Sequence, residues 1–242
     1  MKCSLADMFT NTLAGSRRPQ PIPPWAALLQ RFYERTGLSS PVLTELKAAE
    51  VPPPYQALLV HSSDMTPTLA NFYGQALRLR VLSRERRDDS YQREVILWLA
   101  EDARPVEYGV IRIRLDRLPP AARRLVLGEQ RPLGDILHGE AIPHLSWPKA
   151  FFRLKSDAHA GVALGASRLG FLYGRRNVLL DGSRRLLAEV IEVLAPVAKP
   201  EMAAAWRPTR NPNHSRKREP HRCQSPKFET IAHDLHPNLS LL

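Results

Sequence analysis

Cysteine is scarce in this chain of 242 residues, which contains only Cys3 and Cys223. Two cysteines near opposite ends cannot form a disulfide framework, and neither has further ligands at metal-binding spacing. No stretch approaches the ~20 apolar residues that a membrane span requires. The first residues are interrupted by polar side chains and lack the apolar core of a secretion signal. These absences exclude disulfide-rich and membrane-spanning classes, and we expect a soluble, cytoplasmic protein.

Aromatic residues are also few, at 7% of the chain, whereas basic residues are abundant. The 35 Lys and Arg residues outnumber the 24 Asp and Glu residues, which gives a formal net charge of +11. A basic protein attracts several classes of anion, including nucleic acid, acidic membrane and anionic metabolites. Because aromatic residues are scarce, a surface that stacks single-stranded nucleic acid is not expected. Charge alone does not choose among the classes of anion; we do not expect a nucleic-acid partner, and the alternative is an RNA-associated protein that binds through its basic tail.

Proline and charge divide the chain into three parts. Residues 1–24 are polar and broken by prolines, which predicts a flexible lead-in. Residues 25–196 carry the apolar periodicity of one folded domain. Residues 197–242 lose this periodicity and form a basic tail with a composition typical of disorder. The histidines of this tail and Cys223 lack the spacing and ordered framework of a metal site.

The folded part alternates between two periodicities. Helical spacing is predicted over residues 25–36, 39–50, 64–75, 119–127 and 132–138. Strand alternation is predicted over residues 75–86, 91–99, 106–115, 171–180 and 184–194. The less regular stretch 146–167 predicts a flap or a crossing loop. Together these elements indicate a single α+β domain with an antiparallel sheet of about six strands, covered by helices on one face.

Arg93 lies near the start of the predicted strand 91–99. Alternation places it on the same face as Tyr91, Val95 and Leu97. A charge on such an apolar face needs an anionic partner, because an unpaired buried charge costs several kcal/mol. The guanidinium fork suits a carboxylate. The alternative is an arginine at the sheet margin that pairs with a neighbouring Asp or Glu.

The last predicted strand offers two carboxylates, Glu189 and Glu192, one on each of its faces. Each stands among aliphatic residues, so periodicity does not decide which one is buried. A carboxylate in an apolar pocket has a raised pKa and can exchange a proton near neutral pH. The alternative for either residue is an ion pair with one of the many arginines.

Four segments, taken in order, resemble the chorismate lyase family, whose members form 4-hydroxybenzoate. They are SSDMTPTL at 62–69, YQREVILWL at 91–99, RPLGDIL at 131–137 and LYGRRNVLLDGSRRLLAEVIEVLAP at 172–196. The resemblance covers about residues 55–196. It implies a monomeric, single-domain α+β protein with an antiparallel sheet, and a reaction that needs no metal or organic cofactor.

The resemblance also implies a substrate, chorismate, which loses pyruvate to give 4-hydroxybenzoate for ubiquinone or other phenolic synthesis. Arg93 corresponds to the arginine that holds the ring carboxylate, and Glu189 to the glutamate that faces the 4-oxygen. Counting from the turn at Gly182 selects Glu189, whereas counting back from Pro196 selects Glu192. We follow the turn, because it sets the register of a hairpin. Aromatisation drives the reaction, so orientation and charge stabilisation suffice for catalysis.

Two further positions, Met65 and Leu133, match residues that line the product pocket of that family. The alternative to a lyase is a non-catalytic domain of the same fold that binds or senses an aromatic or sugar acid. Small-molecule-sensing domains of some transcription regulators share this scaffold without the reaction.

The third predicted strand departs from the family pattern. Val110 stands where the family has a second arginine that helps to hold an anionic group. Arg112, on the same face of the strand, is one candidate replacement, and Arg175 or Arg176 is another. The departure bears on the substrate more than on the fold.

Overall fold

In the computed structural model, which describes residues 22–166 and 170–197, the strands form one antiparallel sheet in the order β1-β5-β6-β7-β4-β3-β2. The predicted basic tail, except for its first residue, and most of the predicted lead-in lie outside the described residues. The seven strands are β1 (Leu43–Leu46), β2 (Leu77–Arg87), β3 (Ser90–Leu99), β4 (Pro105–Arg114), β5 (His144–Lys155), β6 (Phe171–Asp181) and β7 (Leu186–Leu194).

Six α-helices occur within the same ranges, none of them long and apolar enough to cross a membrane. They are α1 (Ala27–Arg35), α2 (Tyr55–Leu59), α3 (Met65–Tyr73), α4 (Pro120–Leu127), α5 (Leu133–Gly139) and α6 (Ala160–Ala163). Short 3-10 turns occupy Pro24–Ala26, Ala48–Glu50 and Leu115–Arg117. The expectation of an α+β domain built on an antiparallel sheet is confirmed.

Helices cover both faces of the sheet, which corrects the expectation that only one face is covered. On one face, Leu28 and Phe32 of α1 pack in a core with Tyr108 and Ile191 of the central strands. On the other face, α2 to α5 pack against the sheet in two further apolar clusters. The central strand β4 is buried from Val106 to Ile111. Because both of its faces are apolar, each needs a covering layer.

Two strands were not predicted. The stretch 39–50, expected to be a helix, forms the short edge strand β1 and a 3-10 turn. The stretch expected to be a flap or crossing loop contains most of β5, a 12-residue strand. Pro148 and a register shift before Ala150 interrupt the alternation of β5, and proline rarely lies inside a paired strand. The sheet therefore has seven strands rather than about six.

Candidate functional site

A cavity lies between the sheet and the first residues of α3 and α5. It contains about 570 Å³ of space free of protein atoms, part of it open to solvent. We call the sheet surface that carries Arg93 the cavity face, and the opposite surface, which α1 covers, the α1 face. The roof includes Met65, Pro132 and Leu133.

The strand register sets the floor of the cavity. Arg93, Ile111, Val190 and Asn177 lie in one row across β3, β4, β7 and β6. Because neighbouring strands are ~4.8 Å apart, the Cα atoms at the two ends of this row are separated by ~14 Å. The floor is thus polar at both ends and aliphatic between them.

Gly109 lies in the adjacent row and leaves room above the floor. A Cβ atom at this position would lie 3.2 Å from Glu107 Oε1 and 3.2 Å from Val95 Cγ2. Both contacts are tighter than ordinary van der Waals packing. The absence of a side chain here therefore keeps space open beside Glu107.

Arg93 is a buried cation with unused hydrogen-bonding capacity. Arg93 is only 1% exposed, and its Nη2 donates to the carbonyl oxygen of Arg131 at 3.3 Å. Within residues 22–166 and 170–197, no acceptor bonds to its Nε or Nη1. Burial lowers the pKa of Arg93, while the nearby Tyr91 and Glu129 oppose that change. Glu129 is itself engaged, accepting from the Tyr91 hydroxyl at 2.5 Å and from Arg84 Nη1 at 3.0 Å.

Arg175 is fully buried next to the cavity, but its donors are occupied. Its Nε donates to Glu192 Oε2 at 2.5 Å. Its Nη1 donates to the carbonyl oxygens of Leu59 and His61 at 3.2 and 3.0 Å, and its Nη2 to that of Ser63 at 3.1 Å. Arg175 therefore fixes the segment before α3 and neutralises Glu192, and it is not a free anion site.

Glu107 and Glu192 are two buried carboxyl groups in the wall of the cavity. Burial, with added repulsion from Glu192, raises the pKa of Glu107 well above its usual value. Glu192 accepts a hydrogen bond from Arg175, and burial favours the neutral, protonated form of Glu107. Glu107 Oε2 has no hydrogen-bond partner in the described part of the chain.

Asp64 and His144 form an ion pair at the edge of the cavity. His144 Nε2 donates to Asp64 Oδ2 at 2.7 Å, and His144 Nδ1 donates to the carbonyl oxygen of Ile142 at 2.8 Å. Both partners are acceptors, so both ring nitrogens must carry hydrogen and His144 is an imidazolium. The hydrogen bond to Asp64 is the main reason that the pKa of His144 is raised. The other carboxylate oxygen, Asp64 Oδ1, is buried without a partner among the described residues.

Asn177 closes the far end of the floor. Its Nδ2 donates to Ser146 Oγ at 2.9 Å, which fixes the orientation of the amide. Asn177 is 1% exposed, and its Oδ1 accepts no hydrogen bond from any residue that the structure describes. Asn177, a lining residue of the cavity, thus keeps a buried amide oxygen without a donor.

The predicted site residues separate into three groups. Met65, Arg93 and Leu133 line the cavity, as the resemblance implied. Arg175 lies beside it with its donors occupied. Arg112 lies on the α1 face, as does Val110, so Arg112 cannot replace an arginine in the cavity.

Glu189 is also on the α1 face, which corrects its expected position opposite Arg93. There it accepts from Arg176 Nε at 2.8 Å and lies 3.5 Å from Arg112 Nη1. The physical reason is a bulge in the β6–β7 hairpin. Leu186 pairs with Leu180 but Ala188 pairs with Leu179, so Leu187 is an extra residue.

An extra residue reverses which side chains point to each face. Counting from the turn therefore selected Glu189, whereas counting back from Pro196, beyond the bulge, selects Glu192. The remaining polar residues of the cavity, Asp64, Glu107 and Asn177, were not predicted. For Glu107, the strand alternation of the third predicted strand was a sequence signal that could have placed it on the same face as the cavity.

No family model matches this chain, and no curated protein sequence matches it either. Among solved structures, the effector domain of PhnF from Mycobacterium smegmatis is 14% identical, with a TM-score of 0.43; the match covers 57% of this chain and 91% of that domain. The match to PhnF itself has 14% identity and a TM-score of 0.42, and covers 56% of this chain and 65% of PhnF.

A GntR-family transcriptional regulator from Enterococcus faecalis gives a similar match. It is 14% identical over 51% of this chain and 93% of that chain, with a TM-score of 0.34. At these identities and TM-scores the likeness assigns neither a family nor an activity to this chain.

The expectation of a lyase is corrected. Glu189, which the lyase interpretation placed opposite Arg93, lies on the other face of the sheet. The matches reported above are to PhnF, to its effector domain and to a transcriptional regulator, and none of these three is a lyase by its description. The expected chorismate substrate and the link to ubiquinone synthesis depended on that interpretation and are withdrawn with it.

Proposed function

We propose that the domain over residues 25–196 is a non-catalytic module that binds a small carboxylic acid in the cavity. Arg93 anchors the carboxylate through its Nε–H group. The observation that carries the proposal is a guanidinium that is 1% exposed, lines a cavity and has two N–H groups without acceptors among the described residues.

The energetics of an unsatisfied donor support this role. A buried donor without a partner costs about 1–3 kcal/mol. A carboxylate that accepts from Nε–H removes that cost for this donor, and it forms a bidentate, charge-assisted pair when it also accepts from Nη2, the nitrogen on the same side of the guanidinium. The binding free energy of the acid therefore includes relief of a penalty that the empty cavity carries.

The other charged groups of the cavity support binding rather than turnover. Arg175 neutralises Glu192, and His144 neutralises Asp64. Burial beside Glu192 raises the pKa of Glu107 and so favours its neutral form. Among the described lining residues, neither of the two ion-paired carboxylates is free to act as a general base.

Isothermal titration with benzoate and with hexanoate tests the proposal. We expect Arg93→Met to weaken the binding of an acid about 10- to 100-fold, since a hydrogen-bonded charge contributes about 1.5–3 kcal/mol. Arg112→Met is the matched control, because it removes an arginine from the α1 face and should leave affinity unchanged. Equal affinity of the parent protein and Arg93→Met for these acids would contradict the proposal.

A further inference from the structure

The end of the cavity far from Arg93 presents acceptors without donors. Asn177 Oδ1 and Asp64 Oδ1 are both buried and have no hydrogen-bond partner in the described ranges. They lie on the same side of the cavity. The Ser146 hydroxyl accepts from Asn177 Nδ2 at 2.9 Å and donates to the carbonyl oxygen of Ser63, the neighbour of Asp64, at 3.5 Å. Ser146 thus connects Asn177 to the backbone beside Asp64.

Glu107 adds a third polar atom between the two ends. The residue is 4% exposed, and its Oε2 is unpartnered among the described residues. A protonated carboxyl group can accept a hydrogen bond as well as donate one. A ligand that forms hydrogen bonds with these unpartnered oxygen atoms must therefore supply more than one hydrogen-bond donor, in addition to the acceptor that Arg93 requires.

The charges of the cavity restrict the kind of donor. The carboxylates of Glu192 and Asp64 are each paired with a cation, Arg175 and His144 respectively, and burial favours the neutral form of Glu107. Arg93 is then the lining charge that lacks an ion-pair partner within the described residues. One negative charge on the ligand balances it. A second anionic group or an ammonium group would find no free opposite charge at the far end.

From these observations we infer the class of ligand: a monocarboxylate with at least two hydroxyl groups at the end away from the carboxylate. The hydroxyls donate to Asn177 Oδ1 and Asp64 Oδ1 while Arg93 holds the carboxylate. The inference rests on the proposed function, and it adds a chemical requirement that carboxylate binding alone does not impose.

Two matched pairs of probes test this requirement in the parent protein by isothermal titration. One pair is 3,4-dihydroxybenzoate against 3,4-dimethylbenzoate, and the other is gluconate against hexanoate. Because buried acceptors discriminate strongly against a ligand that leaves them unpaired, we expect the hydroxylated member of at least one pair to bind about tenfold tighter or more. The pair with the larger ratio tells whether the preferred skeleton is a ring or a chain.

The variant Asn177→Leu replaces the amide by a side chain of similar size. We expect it to reduce that ratio to about twofold while retaining affinity for the apolar member of the pair. Glu189→Gln, on the α1 face, is the control and should leave the ratio unchanged. The comparison in the parent protein stands by itself if Asn177→Leu does not fold.

Three results would overturn the inference. Equal or tighter binding of the apolar member in both pairs, with dependence on Arg93 retained, would refute the hydroxyl requirement and leave the proposed function intact. Tighter binding of 4-(aminomethyl)benzoate than of either hydroxylated acid would show that the preferred donor group of the ligand is an ammonium and not a hydroxyl. Failure of every acid to bind would refute the proposed function itself.

Discussion

Arg93 and Glu94 are consecutive residues of β3 that face opposite sides of the sheet, and their environments differ. Both are almost completely buried, at 1% and 2% exposure. Glu94 accepts hydrogen bonds from the Tyr108 hydroxyl at 2.8 Å and from His159 Nε2. Arg93 has a single carbonyl partner and two donors without acceptors in the described structure.

The cluster around Glu94 continues across the α1 face. The Tyr33 hydroxyl donates to Asp157 Oδ2 at 2.7 Å, and the backbone N–H of His159 donates to Asp157 Oδ1 at 2.9 Å. This network links α1, β3 and the segment after β5. A buried charge by itself therefore does not mark a binding site. The distinguishing property is whether its hydrogen-bonding groups are satisfied by the protein.

The largest effect is expected from Glu94→Gln. Although burial raises the pKa of Glu94, hydrogen bonds from His159 and Tyr108 lower it overall, which indicates an ionised group held by its neighbours. Breaking a buried ion pair leaves a charge uncompensated, so we expect a loss of about 3 kcal/mol in the free energy of unfolding. Urea denaturation measures it. A loss below about 1 kcal/mol would show that the two buried charges do not differ as described.

Arg93→Met should behave in the opposite way. The substitution removes a buried charge that makes few hydrogen bonds. We therefore expect the free energy of unfolding to change by less than about 1 kcal/mol or to rise. The same denaturation measurement applies, without added acid. A loss of about 3 kcal/mol would mean that Arg93 is a structural residue like Glu94.

The pair His144–Asp64 predicts a pH dependence on the cavity face. The pKa of His144 is raised in the folded protein, so its contribution to stability is complete below the unfolded value of about 6.5 and is lost as the pH rises through the folded value. We expect His144→Asn to cost about 1 kcal/mol near pH 6 and less near pH 9. Thermal unfolding of both proteins across this range measures the difference. A cost that grows with pH would contradict the protonation state assigned here.

Glu189→Gln should have the smallest effect. Its partners Arg112 and Arg176 are partly exposed, at 31% and 23% of their side-chain surfaces, and ion pairs of this kind contribute about 1 kcal/mol or less. Acid binding should not change. If titration shows that Glu189→Gln loses affinity for carboxylic acids, the assignment of Glu189 to the α1 face is wrong.

The sequence was sufficient for parts of the site. The alternation from Tyr91 to Leu97 continues without a bulge on the β4 side. The sequence could therefore predict that Arg93 lies on the apolar face of β3. The same rule failed in β7 because Leu187 adds a residue that periodicity does not reveal.

The remaining features depend on tertiary contacts. Whether the donors of Arg175 or those of Arg93 are satisfied depends on carbonyl groups from segments far apart in sequence, such as that of Ser63. The acceptors of Asn177 and Asp64 are significant because no donor reaches them within the described residues. No local pattern contains that information.

The central claim is that the Arg93 guanidinium receives a carboxylate, and proton–nitrogen correlation spectra of arginine Nε–H groups test it most directly. Arg175 Nε already donates to Glu192 and serves as an internal reference. On addition of 3,4-dihydroxybenzoate, the Arg93 Nε–H signal should move downfield and exchange more slowly with water, while that of Arg175 stays in place. An Arg93 signal that does not change at saturating acid, or that changes no more than that of Arg175, would contradict the claim.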